Sequence, residues 1–431
     1  ILAGIALVCA LLFFANIIRR SWVLPAAGTA LLVISSVLIA GLYPAAIQNF
    51  QVKPSESSKE APFIQRNIES TRAAYGLEDV SVTDYNSQPH IQGVPMTGKI
   101  APIVTLTPAP TLDRTYFVKN LEPGAVNRAD RVGEELAGKG INVSRALRLA
   151  GIDAPGIVPI GDADKGVLER TNSEFLTPLW VDGTLRVSTT IVELDGPTTK
   201  INEHPRPLKQ ADWDQVVKLT IQTIEDTGAK WLVVAGAHPE IVETGKVIDL
   251  QPLFEKMEAL GIRVVLDTSG PALRHWAKSG MATIMKPNAH ELAECVGKDL
   301  NTIGDVIDAA RQLNKWGVNC VMASLGVDGI IAVTGSHAIH AYTDHVKVIN
   351  TVGAGDSTIA GFLSAVTAHP SDENHYGVGF DVAEGIAAAV QWGAAKVQQP
   401  TSGLSSIENL VEAHIELIPN RDQLLGEPAT A

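Results

Sequence analysis

Residues 1–43 are almost unbroken apolar sequence. Ile1 to Ile18 contains one polar side chain, Asn16, and after Arg19-Arg20-Ser21 the run from Trp22 to Tyr43 carries no charge. Each run is long enough to cross a hydrocarbon core of roughly 30 Å as a helix. Neither keeps the polar stripe of a helix packed on a soluble core. The pattern predicts a transmembrane hairpin over residues 1–49. A signal peptide fits poorly, because the charge follows the first apolar run. Arg19 and Arg20 place the turn in the cytoplasm and both ends of the hairpin outside. The chain opens on Ile1, so it is expected to be a piece of something longer.

Residues 50–95 are a polar segment and linker. Apolar positions at helical spacing from Phe63 to Tyr75 predict one helix there, stopped at Gly76. "SQPHIQGVP" (87–95) reads as a connector, and Met96 as a fresh start. Residues 96–431 then alternate between short apolar runs and helical patterns. Strands are expected at Ile103–Leu106, Trp231–Ala235, Arg263–Asp267, Thr283–Lys286 and Cys320–Ser324. Helices are expected near Trp213–Asp226, Val247–Leu260, Pro271–Lys278 and Ile303–Trp316. The alternation predicts an α/β domain, a doubly wound and mainly parallel sheet. Tyr116–Val118 and Leu185–Glu193, set among charged residues, suit a small β-sheet lid. Ligands of such a sheet bind beyond the carboxyl ends of its strands.

Charge narrows the functional classes. The chain carries 34 Lys+Arg against 47 Asp+Glu, a formal net charge of −13. Residues 1–95 are neutral, so the acidic excess lies wholly in the α/β domain. That argues against a nucleic-acid partner, which needs a broad basic surface. Cys9, Cys295 and Cys320 make neither a disulfide framework nor a zinc motif. The histidines, including His337, His340 and His345, form no metal pattern.

Four loops carry candidate chemistry. Gly353-Ala354-Gly355-Asp356 opens an apolar helix, where free N–H groups and the helix dipole favour an anion; the plain alternative is a glycine turn before a helix cap. Gly138-Lys139-Gly140-Ile141-Asn142 also opens a helix and offers a cation and an amide; otherwise it is a surface turn. Asn288 and Glu291, three apart, either organise a hydrated Mg²⁺ or cap a helix. Ser324-Leu325-Gly326 holds phosphates through its amides or is a hairpin turn. No Walker A motif is present.

In their order, "TPAPTLDRTY", "AGKGINVSR", "KPNAHEL", "SLGVDG" and "NTVGAGDSTIAGF" closely resemble the PfkB, or ribokinase-like, carbohydrate kinases over residues 96–410. "TLDRTY", "GINVSR" and "TTKINE" look most like the hexose-phosphate branch, which includes 1-phosphofructokinases. Separately, residues 1–86, with "LYPAAIQNFQVKPSESSKEAPFIQRNIESTRAAYGLEDVSVTDY", resemble the uncharacterised integral membrane family UPF0182.

The kinase resemblance implies a ribokinase-like fold and ATP-dependent phosphorylation of a hexose phosphate: fructose 1-phosphate, fructose 6-phosphate or tagatose 6-phosphate. It implies Asp356 as general base, with the amides of Gly353, Ala354 and Gly355 receiving the transferring phosphoryl group. Asp113, Gly138, Lys139 and Asn142 are implied on the sugar. Arg186, with Arg128 from the lid, is implied on the substrate phosphate. Lys286, Asn288, Glu291, Ser324 and Gly326 are implied on the nucleotide, with Asn288 and Glu291 placing Mg²⁺ through water. A homodimer through the lid is a further expectation.

One departure stands out. The family's "SGSLP"-like loop reads Ala235-Gly236-Ala237-His238-Pro239 here, without its two hydroxyls. Two other readings therefore stay open: an inactive kinase fold that binds ligand on a membrane anchor, and a kinase for an unphosphorylated sugar or nucleoside. The halves also conflict in compartment, since ATP chemistry is cytoplasmic and the hairpin exports the domain attached after it. An artefactual join or a missed start at Met96 resolves this; so does a wrong topology or an inactive cargo domain. The first is preferred.

Overall fold

The structure is a computed structural model of the chain. It describes residues 101–430 apart from 194–195, 197, 369–375 and 400–402, together with Phe14, Trp22, Ala26, Thr29 and Ala30. The chain divides into two units, Ile1–Val94 and Pro95–Ala431. Apart from those five residues, the expected transmembrane hairpin lies outside the described residues, as does the helix expected from Phe63. Among the described residues no helix is long and apolar enough to cross a membrane.

In the second unit β1 (Ile103–Leu106) leads to the hairpin β2 (Thr111–Val118) and β3 (Arg131–Ala137). Then come α1 (Lys139–Leu149), β4 (Gly156–Gly161), α2 (Val167–Arg170), β5 (Leu176–Val181), β6 (Arg186–Glu193) and β7 (Thr198–Asn202). Alternation follows: α3 (Gln210–Thr227), β8 (Trp231–Ala235), α4 (Gln251–Ala259), β9 (Arg263–Asp267), α5 (Gly270–Ser279), β10 (Ile284–Met285) and α6 (Ala289–Val296). The remainder is β11 (Leu300–Thr302), α7 (Ile303–Lys315), β12 (Cys320–Ser324), β13 (Ile330–Thr334), β14 (Ala338–Thr343), α8 (Ala354–Ala368), α9 (Val382–Val397), β15 (Ala413–Glu416) and β16 (Leu424–Ala429).

Ten strands make one sheet in the order β15-β14-β13-β12-β10-β9-β8-β1-β4-β5. The seven from β12 to β5 are parallel. The other three run antiparallel at one edge. Side chains alternate between the faces of a strand, and β8 shows the result. Leu232 and Val234 enter the core under α3 to α7. Trp231, Val233 and Ala235 enter the core under α1, α8 and α9. A strand buried on both faces reads as an uninterrupted apolar run, which is why β8 and β9 stand where the sequence places them.

The lid is a separate four-stranded sheet, β3-β2-β6-β7. It is larger than the two patches expected, since β2 reaches back to Thr111 and carries Asp113. Another difference lies at α4. The expected helix from Val247 begins only at Gln251, with Pro252 in its first turn, a place where a missing N–H costs nothing. Val247 instead bridges Glu240.

Candidate active site

The carboxyl ends of β8, β9, β10 and β12 open on one side of the sheet, and the charged residues gather there. Asp267, the last residue of β9, is 1% exposed. Its Oδ1 accepts from Lys139 Nζ at 2.7 Å, and its Oδ2 lies 3.5 Å from Lys286 Nζ. Burial alone pushes this carboxyl up; Lys286 and Lys139 outweigh it and hold the group below the ordinary carboxylate range. Burial likewise disfavours the Lys139 ammonium, but Asp267 overrides it, so Lys139 stays charged. Sequence reasoning misses Asp267 as a site residue, because it ends an apolar run and reads as part of the strand. A carboxylate at the open end of a buried strand, followed by Thr268-Ser269-Gly270, is the available signal.

Asp356 is buried in the first turn of α8. Its Oδ2 accepts from Asn142 Nδ2 at 2.7 Å. Asn142 is held in turn by Arg145, whose Nη1 donates to Asn142 Oδ1 at 3.3 Å and pairs with Glu135 at 2.8 Å. This fixes the amide with its N–H₂ toward Asp356. Burial, then the negative charge of Asp267, raises the Asp356 pKa from 3.8 to about 6, against the pull of Asn142, Lys139 and Lys286. The result is a carboxylate whose affinity for a proton is raised toward neutral pH.

Gly353, at φ 81°, turns the chain into α8. Ala354 N donates to Thr351 O at 3.2 Å, so that amide closes the turn. Amides at the start of a helix lack intrahelical acceptors, which makes the Gly353–Gly355 turn suited to an anion. A Cβ on Gly355 would stand 3.0 Å from Lys286 Nζ, so the glycine lets that ammonium approach the loop.

On the lid side, Asp113 pairs across strands with Glu135 of β3. Burial, then Glu135, raises its pKa to about 6, opposed by Arg186 and Lys200. Asp113 Oδ1 is buried without a hydrogen-bond partner, an acceptor awaiting donors. Gly138 and Gly140 serve packing: a Cβ on either would meet Thr107, at 2.6 and 2.5 Å. Arg186 spends Nε on Pro110 O (3.4 Å), Nη1 on Glu203 O (3.1 Å) and Nη2 on Ala109 O (3.0 Å). It thereby ties the base of the lid to the main sheet. Arg128 is exposed in the loop joining β2 to β3.

On the other side, Asn288 and Glu291 form a reciprocal capping box at the start of α6. Asn288 Oδ1 accepts from Glu291 N at 2.8 Å, and Glu291 Oε2 accepts from Asn288 N at 2.9 Å. Ser324 ends β12 beside Pro287 and Asn288. Gly326 sits at φ 61° in the tight turn to β13. The altered loop at the end of β8 lines a cavity of about 620 Å³ with Glu203, His204, Arg206 and Glu240. There His238 Nε2 is buried without a partner, and burial, then His275, drops its pKa to about 4. No cluster of three or more metal-ligating side chains occurs among the described residues.

Known proteins match the two units differently. Residues 109–409 match the family described as pfkB family carbohydrate kinase, and residues 1–103 match the uncharacterised protein family UPF0182. A 1-phosphofructokinase of Haloferax volcanii is 33% identical over 271 residues, 61% of this chain and 83% of that protein. The crystal structure of Escherichia coli phosphofructokinase-2 in complex with fructose-6-phosphate superposes with a TM-score of 0.60 at 26% identity. The likeness covers 72% of this chain and 96% of that one. A UPF0182 protein of Streptomyces coelicolor is 54% identical over 85 residues, 20% of this chain but only 8% of that protein.

Proposed function

Because the chain belongs, over residues 109–409, to the PfkB family of carbohydrate kinases, we propose that it phosphorylates a hydroxyl of a hexose phosphate with Asp356 as general base. Enzyme class follows from the family: it is a sugar kinase, a phosphotransferase using ATP. The finer reading rests on one observation, the buried Asp356 held by Asn142 at the start of α8 beside Lys139, Lys286 and Asp267. In this reading Asp356 takes the proton of the acceptor hydroxyl, whose oxygen attacks the γ-phosphorus as ADP leaves. Gly353 and Gly355 amides and Lys286 meet the negative charge on the transferred group. The orphaned Asp113 Oδ1 accepts from sugar hydroxyls.

A magnesium ion fits the residues present. Asp267 Oδ2 is buried without a hydrogen-bond partner, and Glu291 keeps one carboxylate oxygen outside its capping box. These two, with Asn288, would hold the ion through water, and bound there it neutralises phosphate charge.

The substrate class is tested by an ATP-coupled assay across fructose 1-phosphate, fructose 6-phosphate, tagatose 6-phosphate and their unphosphorylated sugars. Turnover restricted to sugar phosphates supports the reading. A second reading, an unphosphorylated acceptor, is favoured by Arg186, whose guanidinium already serves three carbonyls; preference for free sugars would select it. A second copy on the lid is supported by exposed Val132 and Ile201, and sedimentation reports it. ATP as donor argues for a cytoplasmic kinase domain. Membrane attachment through residues 1–49 rests on their apolar sequence. Release of the full chain by alkaline washing of membranes would count against it.

A further inference from the structure

Lys396, in the last turn of α9, is 0% exposed. Lysine is almost never fully buried without a task for its charge. Burial lowers its pKa to about 8, while the neighbouring charge of Asp356 pulls it back up. Close packing brings it there. A Cβ on Gly361 of α8 would stand 2.6 Å from Ala388 O, and one on Gly393 of α9 would stand 2.8 Å from Thr358 Cγ2. Only glycine at these two positions lets α8 and α9 approach so closely, and this sets the end of α9 beside the first turn of α8.

The end of α9 is also stitched to the segment that leads into the Gly353–Asp356 loop. Ile349 N and Asn350 N both donate to Val397 O, at 2.7 and 3.1 Å. Lys396 Nζ donates to Asn350 O at 3.2 Å. Asn350 Oδ1 in turn accepts from Val352 N at 3.0 Å, one residue before Gly353. A continuous set of bonds therefore runs from the buried ammonium to the loop that presents Asp356 and the two glycine amides.

Building on the kinase reading, we propose that Lys396 is a positioning residue, a built-in monovalent cation that holds the 350–353 segment and sets the conformation and charge of the Gly353–Asp356 loop. The charged groups around it are Asp356 on α8, Glu135 on β3 and Lys200 on β7.

The test uses the full chain and two variants, Lys396→Met and Lys396→Arg. Misplacing a catalytic loop by about 1 Å costs on the order of 10²-fold in rate, so Lys396→Met should lose about that in kcat with little change in KM for either substrate. Added ammonium or potassium should recover part of the loss by filling the vacated space. Amide hydrogen exchange over residues 349–357 should quicken in Lys396→Met and slow again with the added cation, while exchange in β8 and β9 stays unchanged. Lys396→Arg, which keeps the charge at higher pH, should extend the alkaline limb of the rate profile beyond pH 8. Normal kcat and normal exchange in Lys396→Met would overturn the proposal. Faster exchange throughout the domain with no rescue by a cation would also overturn it, assigning Lys396 to stability alone. A wild-type chain without kinase activity would sink the kinase reading instead, and the exchange comparison would still decide the role of Lys396.

Discussion

Replacing Asp356 by Asn should make the protein inactive and more stable at once. The Asn keeps the shape and can still accept from Asn142, but it carries no charge. In the folded chain the Asp356 pKa is about 6, against 3.8 for the free group. A tenfold change in an acid constant corresponds to about 1.4 kcal/mol, so keeping this carboxylate ionised costs the fold on the order of 3 kcal/mol. The pH window follows from the sign. Below pH 3.8 both states are protonated and the cost is absent. Between 3.8 and about 6 the unfolded chain has released the proton that the folded one retains, so stability falls as pH rises. Above about 6 the penalty is constant. At an unfolding entropy of roughly 2 cal/mol/K per residue, 3 kcal/mol in a domain of this size is about 4 °C in Tm. Thermal melts of both proteins from pH 4 to 8 should show the variant's advantage growing to pH 6 and then levelling. Turnover should drop by roughly 10²- to 10⁴-fold, the range for losing acid–base catalysis. A variant that melts lower than wild type at pH 7.5, or turns over normally, refutes this account of Asp356.

Asp267→Asn removes the partner of two lysines, and breaking a buried pair costs roughly 3–5 kcal/mol. A Tm lower by several degrees at pH 7 is expected, with the gap closing in acid because the Asp267 carboxyl is held below its ordinary value. Arg186→Ala should raise KM for a sugar phosphate with the ATP KM nearly unchanged, by about 1.5–3 kcal/mol for a charge-assisted contact. Equal rises for phosphorylated and free sugars would instead assign Arg186 to holding the lid. A protein cut to Met96–Ala431 should melt cooperatively and keep ATP-dependent activity, because β1 begins at Ile103; aggregation on loss of residues 1–95 would refute a self-sufficient domain.

The parts legible in the sequence share one physical property. β1, β8, β9 and β12 are buried on both faces, so their apolar runs mark their ends to the residue. The lid strands lack that signal. β6 is half-buried along its whole length, and its polar and apolar residues do not separate into clean faces. It still forms where its β-rich run places it, at Arg186–Glu193, whereas β3 and β7, which owe their extended form to pairing with β2 and β6, have no such run to mark them. At the site, glycines and charges in motif order are readable, but what each charge touches is not. The loop of Lys139 alone points to a sugar, yet its partner is Asp267, 128 residues away. Asn142 faces Asp356 across 214 residues. Asn288 and Glu291 show the limit from the other side: spacing allows both a capping box and a metal site, and the box, once formed, still leaves Glu291 an oxygen for the proposed ion.

The cross-strand pair of Asp113 and Glu135 has a thermodynamic consequence for ligand capture. Burial, and then the facing Glu135 carboxyl, disfavour the ionised form of Asp113 and raise its pKa to about 6. A sugar hydroxyl that donates to Asp113 favours the ionised form, so a sugar bound near pH 6 expels a proton into the medium. The heat of that binding then carries the ionisation enthalpy of whichever buffer receives the proton. Calorimetry near pH 6 in phosphate and in Bis-Tris would differ by the fraction of a proton released multiplied by the difference between the two buffers' ionisation enthalpies, and affinity would climb with pH until Asp113 is ionised in the empty protein too. On the proposed role of Asp113, sugar capture in this lid is coupled to the acidity of its surroundings, through a carboxylate separate from the proposed general base, Asp356.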